Sequence, residues 1–243
     1  MRHEEPAGGG AMAKATLGTV VLAGASRGIG AAAARHLAPR CTRLVAVCRS
    51  PAVAGEWVEA DLATDAGIDA VAQAVGAGPV DALLYLGGIW EKGAFTEAYR
   101  FQDSPADEVR RVIAVNLVAP ILLAQRLAPA LALAANPRIV LIGSLSGCEG
   151  RAGPEVANTA SKFGLRGAAQ ALDLTLRPMG IGVTLINPDN VATPEVVADI
   201  AEGRFGAQVP LPMADLLATL DYVLALGPDS VPAEIDLVQK RPG

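Results

Sequence analysis

The chain is poor in the residues that mark several common classes of protein. Only 4% of its 243 residues are aromatic, it holds two histidines and three cysteines, and acidic residues outnumber basic ones by 25 to 20. Cys41, Cys48 and Cys148 lack the spacing of a metal site, so we expect no bound metal and a reduced, cytoplasmic protein. The formal net charge of −5 leaves no basic excess to attract nucleic acid or anionic lipid.

Long uninterrupted hydrophobic runs are also missing, although 51% of the residues are hydrophobic. The most apolar stretch, Val112 to Ala135, contains asparagine, glutamine, arginine and two prolines, which does not predict a membrane span. Residues Met1–Gly18 are small, polar and rich in glycine, without the apolar centre of a signal peptide. We expect a loose tail over residues 1–18 and one folded domain over residues 19–243.

Beyond residue 18, the sequence alternates regularly between apolar runs and helical stretches. The predicted strands are Thr19–Ala23, Leu44–Val47, Trp57–Val58, Ala82–Leu86, Ile139–Ile142, Val183–Ile186 and Glu234–Leu237. The predicted helices are Ile29–Leu37, Ile68–Val75, Pro105–Leu133 and Thr159–Leu176. Most of the strands are apolar throughout, as in a parallel sheet that is covered on both faces. The sequence predicts the α/β class, with a single Rossmann-type doubly wound parallel sheet flanked by helices on both faces.

A glycine-rich turn separates the first strand from the first helix. It reads Gly24-Ala25-Ser26-Arg27-Gly28-Ile29-Gly30. The glycines let the backbone approach a pyrophosphate, and the free N–H groups at the helix N-terminus attract its charge. A tight turn without a ligand is the alternative. The strand before and the helix after the turn favour a dinucleotide site.

The spacing G-x-x-x-G-x-G resembles that of the short-chain dehydrogenase/reductase family, and the resemblance extends from Thr19 to Val238. It implies a nicotinamide cofactor, with Asp61-Leu62 as the pair that contacts the adenine. An NAD-binding member would offer an acid at the end of the second strand, where this chain has Cys48-Arg49. Arg27 and Arg49 together predict a clamp for the 2′-phosphate of NADP(H), with ordinary surface charges as the alternative.

The resemblance also locates the nicotinamide end of the cofactor site. Pro188, Val191 and Thr193 match the family's P-G-x-V-x-T segment, in which Asp189 replaces the glycine. The turn Tyr85-Leu86-Gly87-Gly88 keeps only Gly88 of the family's Asn-Asn-Ala-Gly. The stretch Glu195–Pro212 corresponds to a short substrate lid.

Four residues stand at the family's catalytic positions, and three of them are the residues that the family has there. The resemblance implies that Asn116 holds a water for proton relay, that Ser144 orients the substrate, and that Lys162 holds the cofactor ribose. Asn158 stands where the family has the acid/base tyrosine of Y-x-x-x-K. An amide polarises a carbonyl but delivers no proton, and a placed acid typically contributes about 10²–10⁴ in rate. A proton relayed from Lys162 through water, or from Tyr85, is the alternative source.

Three functions therefore stay open. The first is a non-catalytic or assisting subunit that pairs with a tyrosine-bearing relative. Family members associate through the helices that correspond to Pro105–Leu133 and Thr159–Leu176, and mixed assemblies occur in antibiotic pathways. The second is an autonomous NADPH-dependent carbonyl reductase, and the third is an NADP(H) redox sensor. The expected partners are a small carbonyl or alcohol and a further subunit, in a homo-oligomer or hetero-oligomer.

Overall fold

Seven parallel strands form one sheet in the computed structural model, which describes residues 16–205 and 208–240. The strands are β1 (Leu17–Ala23), β2 (Cys41–Cys48), β3 (Glu56–Glu59), β4 (Ala82–Tyr85), β5 (Arg138–Ile142), β6 (Gly182–Pro188) and β7 (Glu234–Leu237). Their order across the sheet is β3-β2-β1-β4-β5-β6-β7. The chain winds outward in one direction from β1 and in the other from β4, so these two neighbours form the switch point where ligands bind in such sheets.

Helices cover both faces of this sheet. They are α1 (Gly28–Leu37), α2 (Asp65–Val75), α3 (Ala106–Ile113), α4 (Ala119–Leu131), α5 (Val156–Leu176), α6 (Pro194–Ala201) and α7 (Met213–Ala225). One buried cluster joins the sheet to α2, α4 and α5, with Leu123 and Leu165 fully enclosed. A second cluster joins the opposite face to α1 and α7, with Leu216 and Leu220 fully enclosed. The predicted doubly wound parallel sheet is confirmed.

Several element boundaries differ from the prediction, and two of them, the starts of β1 and α5, affect the predicted tail and the site. Strand β1 begins at Leu17, which pairs with Cys41, so Gly18 belongs to the sheet and not to a tail. Residues 1–15 of the predicted tail lie outside the described residues. Glycine at position 18 suits the strand because a Cβ there would lie 2.3 Å from a carboxylate oxygen of Asp81. Helix α5 begins at Val156, three residues before the predicted start, so Asn158 lies in its first turn.

The long apolar helix predicted after β4 is interrupted. A π-helical turn over Ala114–Val118 separates α3 from α4 and contains Asn116. Within the described ranges, Ala106–Leu131 is the one helix long and apolar enough to cross a membrane. Its side chains Leu123 and Leu127 are buried against the sheet, so its composition is that of a core helix. This agrees with the interrupted hydropathy of the sequence.

Candidate active site

A cavity of about 1050 Å³ opens at the carboxyl ends of the central strands. The predicted cofactor and catalytic residues that line it are Gly24, Ser26, Arg27, Gly28, Ile29, Arg49, Asp61, Leu62, Gly88, Ser144, Asn158, Lys162, Pro188, Val191 and Thr193. Gly30 and Asn116 lie behind its wall. The residues that were predicted from the sequence therefore lie around one cavity, although they follow different strands of the sheet.

The glycine turn is shaped by close backbone approaches. Gly24 has a φ of +92°, and a Cβ on it would lie 2.6 Å from the backbone of Gly87. A Cβ on Gly30 would lie 1.9 Å from the carbonyl oxygen of Gly24. Arg27 precedes α1 without capping it, and the first turn of the helix contains no acidic residue. The N-terminal N–H groups of α1 are thus available for a phosphate, and the turn fits a dinucleotide.

Positive charge collects at the end of the cavity near this turn. Arg27 and Arg49 are exposed, and neither has a hydrogen-bond or ion-pair partner within the described ranges. Arg111 holds both carboxylate oxygens of Asp61 at 3.1 Å. Burial works to raise the pKa of Asp61, but the Ala63 N–H and the charges of Arg111 and Arg49 outweigh it and lower the pKa. This end suits an extra phosphate, and Arg111 was not identified from the sequence.

Asn116 holds the turn that follows β4 in place. Its side-chain amide accepts from the Ile89 N–H at 2.9 Å and donates to the Ile89 carbonyl at 2.8 Å. It also lies 3.2 Å from the hydroxyl of Ser161, which itself donates to the Asn158 carbonyl at 2.6 Å. Asn116 is 1% exposed. In this structure it is a structural link between the turn, the π-helical turn and α5.

Lys162 and Ser144 both line the cavity, and each can donate a hydrogen bond to a ligand oxygen. The Lys162 ammonium donates to the Ile142 carbonyl at 3.1 Å, and burial lowers its pKa to about 8. The Ser144 oxygen accepts from the N–H of Ser146 at 3.2 Å and from its hydroxyl at 3.0 Å. Both acceptor positions of Ser144 are therefore used, and its own hydrogen is left to donate.

Asn158 is buried beside these groups, with 4% of its surface exposed. Its side-chain nitrogen lies 3.3 Å from the carbonyl oxygen of Ile89, the same oxygen that Asn116 holds. One of its two N–H bonds is thus directed at the backbone and not at the cavity. What Asn158 presents to a ligand is an amide group, which acts neither as an acid nor as a base at neutral pH.

The hydroxyl of Tyr85, the alternative proton source, is engaged elsewhere, and Tyr99 and Tyr222 do not line the cavity. The Tyr85 hydroxyl donates to the Val115 carbonyl at 2.5 Å, and burial raises the pKa of this phenol well above its usual value. The Tyr99 hydroxyl accepts from the Val156 N–H at 3.2 Å, at the start of α5. Tyr222 is exposed on α7. The alternative of Tyr85 as proton donor is not supported by this geometry.

Two buried carboxylates on the cavity wall were missed from the sequence. Glu91 accepts from the N–H groups of Ala157 and Asn158, and Glu155 accepts from the N–H of Phe95. Both are 3% exposed. In the sequence, Glu91 stands directly after the apolar pair Ile89-Trp90. An acidic residue directly after an apolar pair is the signal that could have identified Glu91.

Aromatic side chains close the same end of the cavity. Trp90, Phe95 and Phe205 all line it. The Phe95 ring lies 5.9 Å from that of Trp90 and 5.1 Å from that of Phe205. Phe101, which also follows β4 in the sequence, is 56% exposed and does not line the cavity.

The segment expected to form the lid begins with a helix. Thr193 caps α6 by accepting from the Val196 N–H at 3.3 Å, and Asp189 accepts from the adjacent Asn190 N–H at 3.0 Å. Asp189 is therefore a local cap, although it also lines the cavity. Within Glu195–Pro212, residues 206–207 lie outside the described residues.

Cys148 follows Ser144 closely in the sequence but does not line the cavity. Its thiol is within 4.8 Å of carboxylate oxygens of Glu234 and Asp236, a set that could in principle hold a metal ion. Asn187 donates to both carboxylates, and Arg166 pairs with Glu234 at 2.8 Å. Burial and the neighbouring Asp236 raise the pKa of Cys148. These hydrogen bonds and this ion pair account for the position of the two carboxylates without a bound metal.

With this geometry in view, comparison with known proteins defines the class. The family profile described as short chain dehydrogenase matches residues 18–203. The chain belongs to the short-chain dehydrogenase family, whose members are oxidoreductases.

Two curated proteins are similar over most of their length. "Protein FixR" of Bradyrhizobium diazoefficiens is 31% identical over 205 residues, which are 79% of this chain and 73% of that protein. The trans-4-hydroxycyclohexanecarboxylate dehydrogenase of Sinomonas cyclohexanicum is 30% identical over 232 residues, or 86% and 85% of the two chains. A solved metagenomic short-chain oxidoreductase in complex with NADP is 27% identical and superimposes with a TM-score of 0.72, covering 93% of this chain and 99% of that one.

Burial of Lys162 predicts a pH dependence of folding stability. Its pKa is about 8 in the folded chain, against an ordinary value of 10.5. Between these values the unfolded chain binds more protons, so the free energy of unfolding rises with pH. Relative to Lys162→Met, the wild type should gain roughly 3 kcal/mol as the pH rises from about 8 to about 10.5. Urea unfolding of both chains across this range measures the difference, and a difference that stays flat contradicts it.

Proposed function

We propose that this chain is an NADP(H)-binding short-chain dehydrogenase/reductase subunit that acts in ketone and alcohol redox chemistry in the cytoplasm. Its own proton delivery is impaired, and it assists a tyrosine-bearing relative. The observation that carries the proposal is the contact of Asn158 with the Ile89 carbonyl. Asn158 occupies the position of the family's acid/base tyrosine, and its side chain helps to hold a turn instead of donating a proton.

The cofactor assignment rests on the charge distribution around the glycine turn. Arg27 and Arg49 both reach the cavity, whereas Cys48, at the end of β2, offers no carboxylate to the ribose hydroxyls. Guanidinium groups bind phosphate through paired, charge-assisted hydrogen bonds. The similar metagenomic oxidoreductase in complex with NADP supports the same choice.

The remaining polar groups of the cavity suit a carbonyl substrate that binds there but receives its proton slowly. NADPH, when bound, supplies the hydride. Ser144 has a hydrogen to donate to the carbonyl oxygen, and this bond strengthens as negative charge develops there. The buried Lys162 adds a positive charge in a medium of low dielectric constant. These groups polarise the carbonyl, so what the site lacks is a placed acid for the alkoxide.

An assembly with a second subunit is supported by the outer faces of the long helices. Leu174 and Phe163 on α5 are 70% and 40% exposed, and Val118, the last residue of the π-helical turn before α4, is 42% exposed. Large apolar side chains on neighbouring helices favour burial against another protein. We propose a second short-chain dehydrogenase/reductase chain as the occupant, either a copy of this chain or a tyrosine-bearing relative.

An autonomous carbonyl reductase is the second candidate, and Lys162 favours it. An ammonium whose pKa is about 8 is a stronger acid than an unperturbed phenol, whose pKa is about 10. Lys162 could then supply the proton through a water beside Asn158, and Lys162→Met would abolish reduction. The candidates differ in one respect, which is whether the purified chain alone turns over substrate.

The cofactor proposal predicts a preference that depends on two arginines. NADPH should bind about 10-fold to 100-fold more tightly than NADH, because a charge-assisted phosphate contact contributes about 1.5–3 kcal/mol. Arg27→Ala combined with Arg49→Ala should remove this preference and leave the NADH affinity nearly unchanged. Fluorescence titration measures both constants. Arg126→Ala is the control, since Arg126 pairs with Asp69 and does not line the cavity. Equal or tighter binding of NADH to the wild type overturns the proposal.

The proton-delivery argument predicts a gain of function. Asn158→Tyr should raise the rate of ketone reduction by about 10²–10⁴ over the wild type, which is the usual contribution of a placed acid. Asn158→Phe adds similar bulk without a hydroxyl and should give no gain. NADPH oxidation with a panel of aliphatic and aromatic ketones measures the rates. If the wild type alone is as fast as Asn158→Tyr, the autonomous reductase is the better account.

The assembly proposal predicts association that depends on α5. The wild type should be dimeric or larger by light scattering, alone or with a tyrosine-bearing reductase encoded beside it. Leu174→Glu should weaken association at least about 10-fold, because it places a charge in an apolar interface. Val53→Glu, at an exposed position outside the long helices, should not. A wild-type monomer that neither associates with nor activates such a reductase would rule out the assisting role.

A further inference from the structure

Accessible aromatic side chains gather along one cavity in a chain that has few of them. The sequence contains two tryptophans and four phenylalanines. Trp90, Phe95 and Phe205 line the cavity, and we call these three residues the aromatic wall. Trp90 is 49% exposed and Phe95 is 38% exposed, so the protein's own packing does not enclose them. Both side chains are therefore open to contact with a ligand.

The aromatic wall lies beside Asn158, which occupies the position of the family's acid/base tyrosine. Both chain neighbours of Trp90 contact Asn158. The Asn158 side-chain nitrogen donates to the Ile89 carbonyl at 3.3 Å, and the Asn158 N–H donates to Glu91 Oε1 at 3.2 Å. Ser144, which can donate to a carbonyl oxygen, lines the same cavity. A ligand that has its carbonyl in this region of the cavity therefore has aromatic rings next to it.

Hydrogen bonds to the start of α5 hold the loop that carries Phe95. The Tyr99 hydroxyl accepts from the Val156 N–H at 3.2 Å, and Glu91 accepts from the Ala157 N–H at 2.7 Å. These acceptors pair N–H groups that a helix leaves without a partner at its N-terminus. The loop is thus fixed to α5 on either side of Phe95, so its ring is positioned before a ligand arrives.

Phe95 itself adopts a backbone conformation that bulky residues avoid. Its φ is +64°, in the left-handed region, and among the described residues it is the one non-glycine residue with a positive φ. Its N–H donates to the buried carboxylate of Glu155 at 2.8 Å, which holds the chain in this conformation. Strained conformations of this kind persist where the surrounding structure imposes them, and they cluster at ligand sites. A ligand that contacts the Phe95 ring accounts for this strain.

The rings of the aromatic wall are inclined to one another. The planes of Trp90 and Phe95 meet at 70° with their centroids 5.9 Å apart, and those of Phe95 and Phe205 meet at 58° with centroids 5.1 Å apart. A flat aromatic ring beside such a wall can place its edge against one face and its face against another edge. A saturated ring buries similar apolar area but lacks the charge distribution that favours these contacts.

We propose that the cavity binds a ketone whose carbonyl is attached to an aromatic ring, or the corresponding alcohol, and that Trp90 and Phe95 select this ring. The carbonyl oxygen accepts from Ser144, and the ring lies against the aromatic wall. The inference rests on the proposed function, because it names the class of substrate for the same cavity. It differs from a purely structural role for the wall, which would not distinguish a flat ring from a puckered one.

Two ketones of similar size test this preference without turnover. Acetophenone and cyclohexyl methyl ketone have the same carbon skeleton, and only the first has a flat aromatic ring. Each is titrated, with ligand-observed NMR, into the full chain saturated with NADP⁺, which has no hydride to transfer. Acetophenone should bind at least about 5-fold more tightly, because aromatic pairs are favourable beyond the area that they bury.

Two variants assign the preference to the aromatic wall. Phe95→Leu and Trp90→Leu each replace a ring by an apolar side chain, so acetophenone should lose most of its advantage while cyclohexyl methyl ketone binds nearly as before. Phe101→Leu is the matched control, since Phe101 also follows β4 but is exposed outside the cavity, and it should change neither affinity. NADP⁺ affinity and thermal unfolding of each variant report on the cofactor site and on folding.

The outcomes separate this inference from the function on which it rests. A chain that binds neither NADP⁺ nor NADPH removes the proposed function itself. A chain that binds NADP⁺ but binds the saturated ketone as tightly as acetophenone, or binds neither ketone, overturns the aromatic inference alone. A preference for acetophenone that persists in both Phe95→Leu and Trp90→Leu overturns the assignment to these rings.

Discussion

The hydrogen bonds that Asn116 makes to the Ile89 backbone determine the geometry of the whole site. They fix the turn after β4 against α5 and the π-helical turn. Gly88 on this turn lies beside Lys162, and Glu91 on its far side caps α5. Without these hydrogen bonds, Gly88, Lys162 and Glu91 would no longer be held in fixed positions relative to one another. The geometry of the site therefore depends on one turn that is held between two helices.

Asn158 is a second link between α5 and the turn after β4. Its side chain contacts the same Ile89 carbonyl that Asn116 holds, so it reinforces this link. The phosphate-binding end of the cavity depends on backbone shape and on the arginines, and it does not involve Asn158. In the function that we propose, an amide at this position separates cofactor binding from proton transfer. That separation is what an assisting subunit requires, since it can bind the nucleotide without completing the reaction.

The sequence predicted the parts of the molecule that depend on local patterns. Continuous apolar runs predicted the parallel strands, and the glycine spacing predicted the turn at α1, because both follow from backbone sterics. The roles of Glu91 and Phe205 depend on contacts between segments far apart in the chain. Such contacts leave no periodic signal, so a buried glutamate looks like any loop glutamate. Tyr85 failed as a candidate donor for the same reason, because its acceptor, the Val115 carbonyl, is 30 residues away.

The π-helical turn between α3 and α4 sets the rotational phase of the two helices. Each residue of an α-helix advances the direction of its side chain by about 100°, so one extra residue turns everything after it by that angle. Arg111 on α3 therefore points at the cavity, whereas Leu123 on α4 points into the core. An uninterrupted helix would place these faces differently. A deletion in Ala114–Val118 would accordingly act at a distance, since it would rotate the core face of α4 away from the sheet.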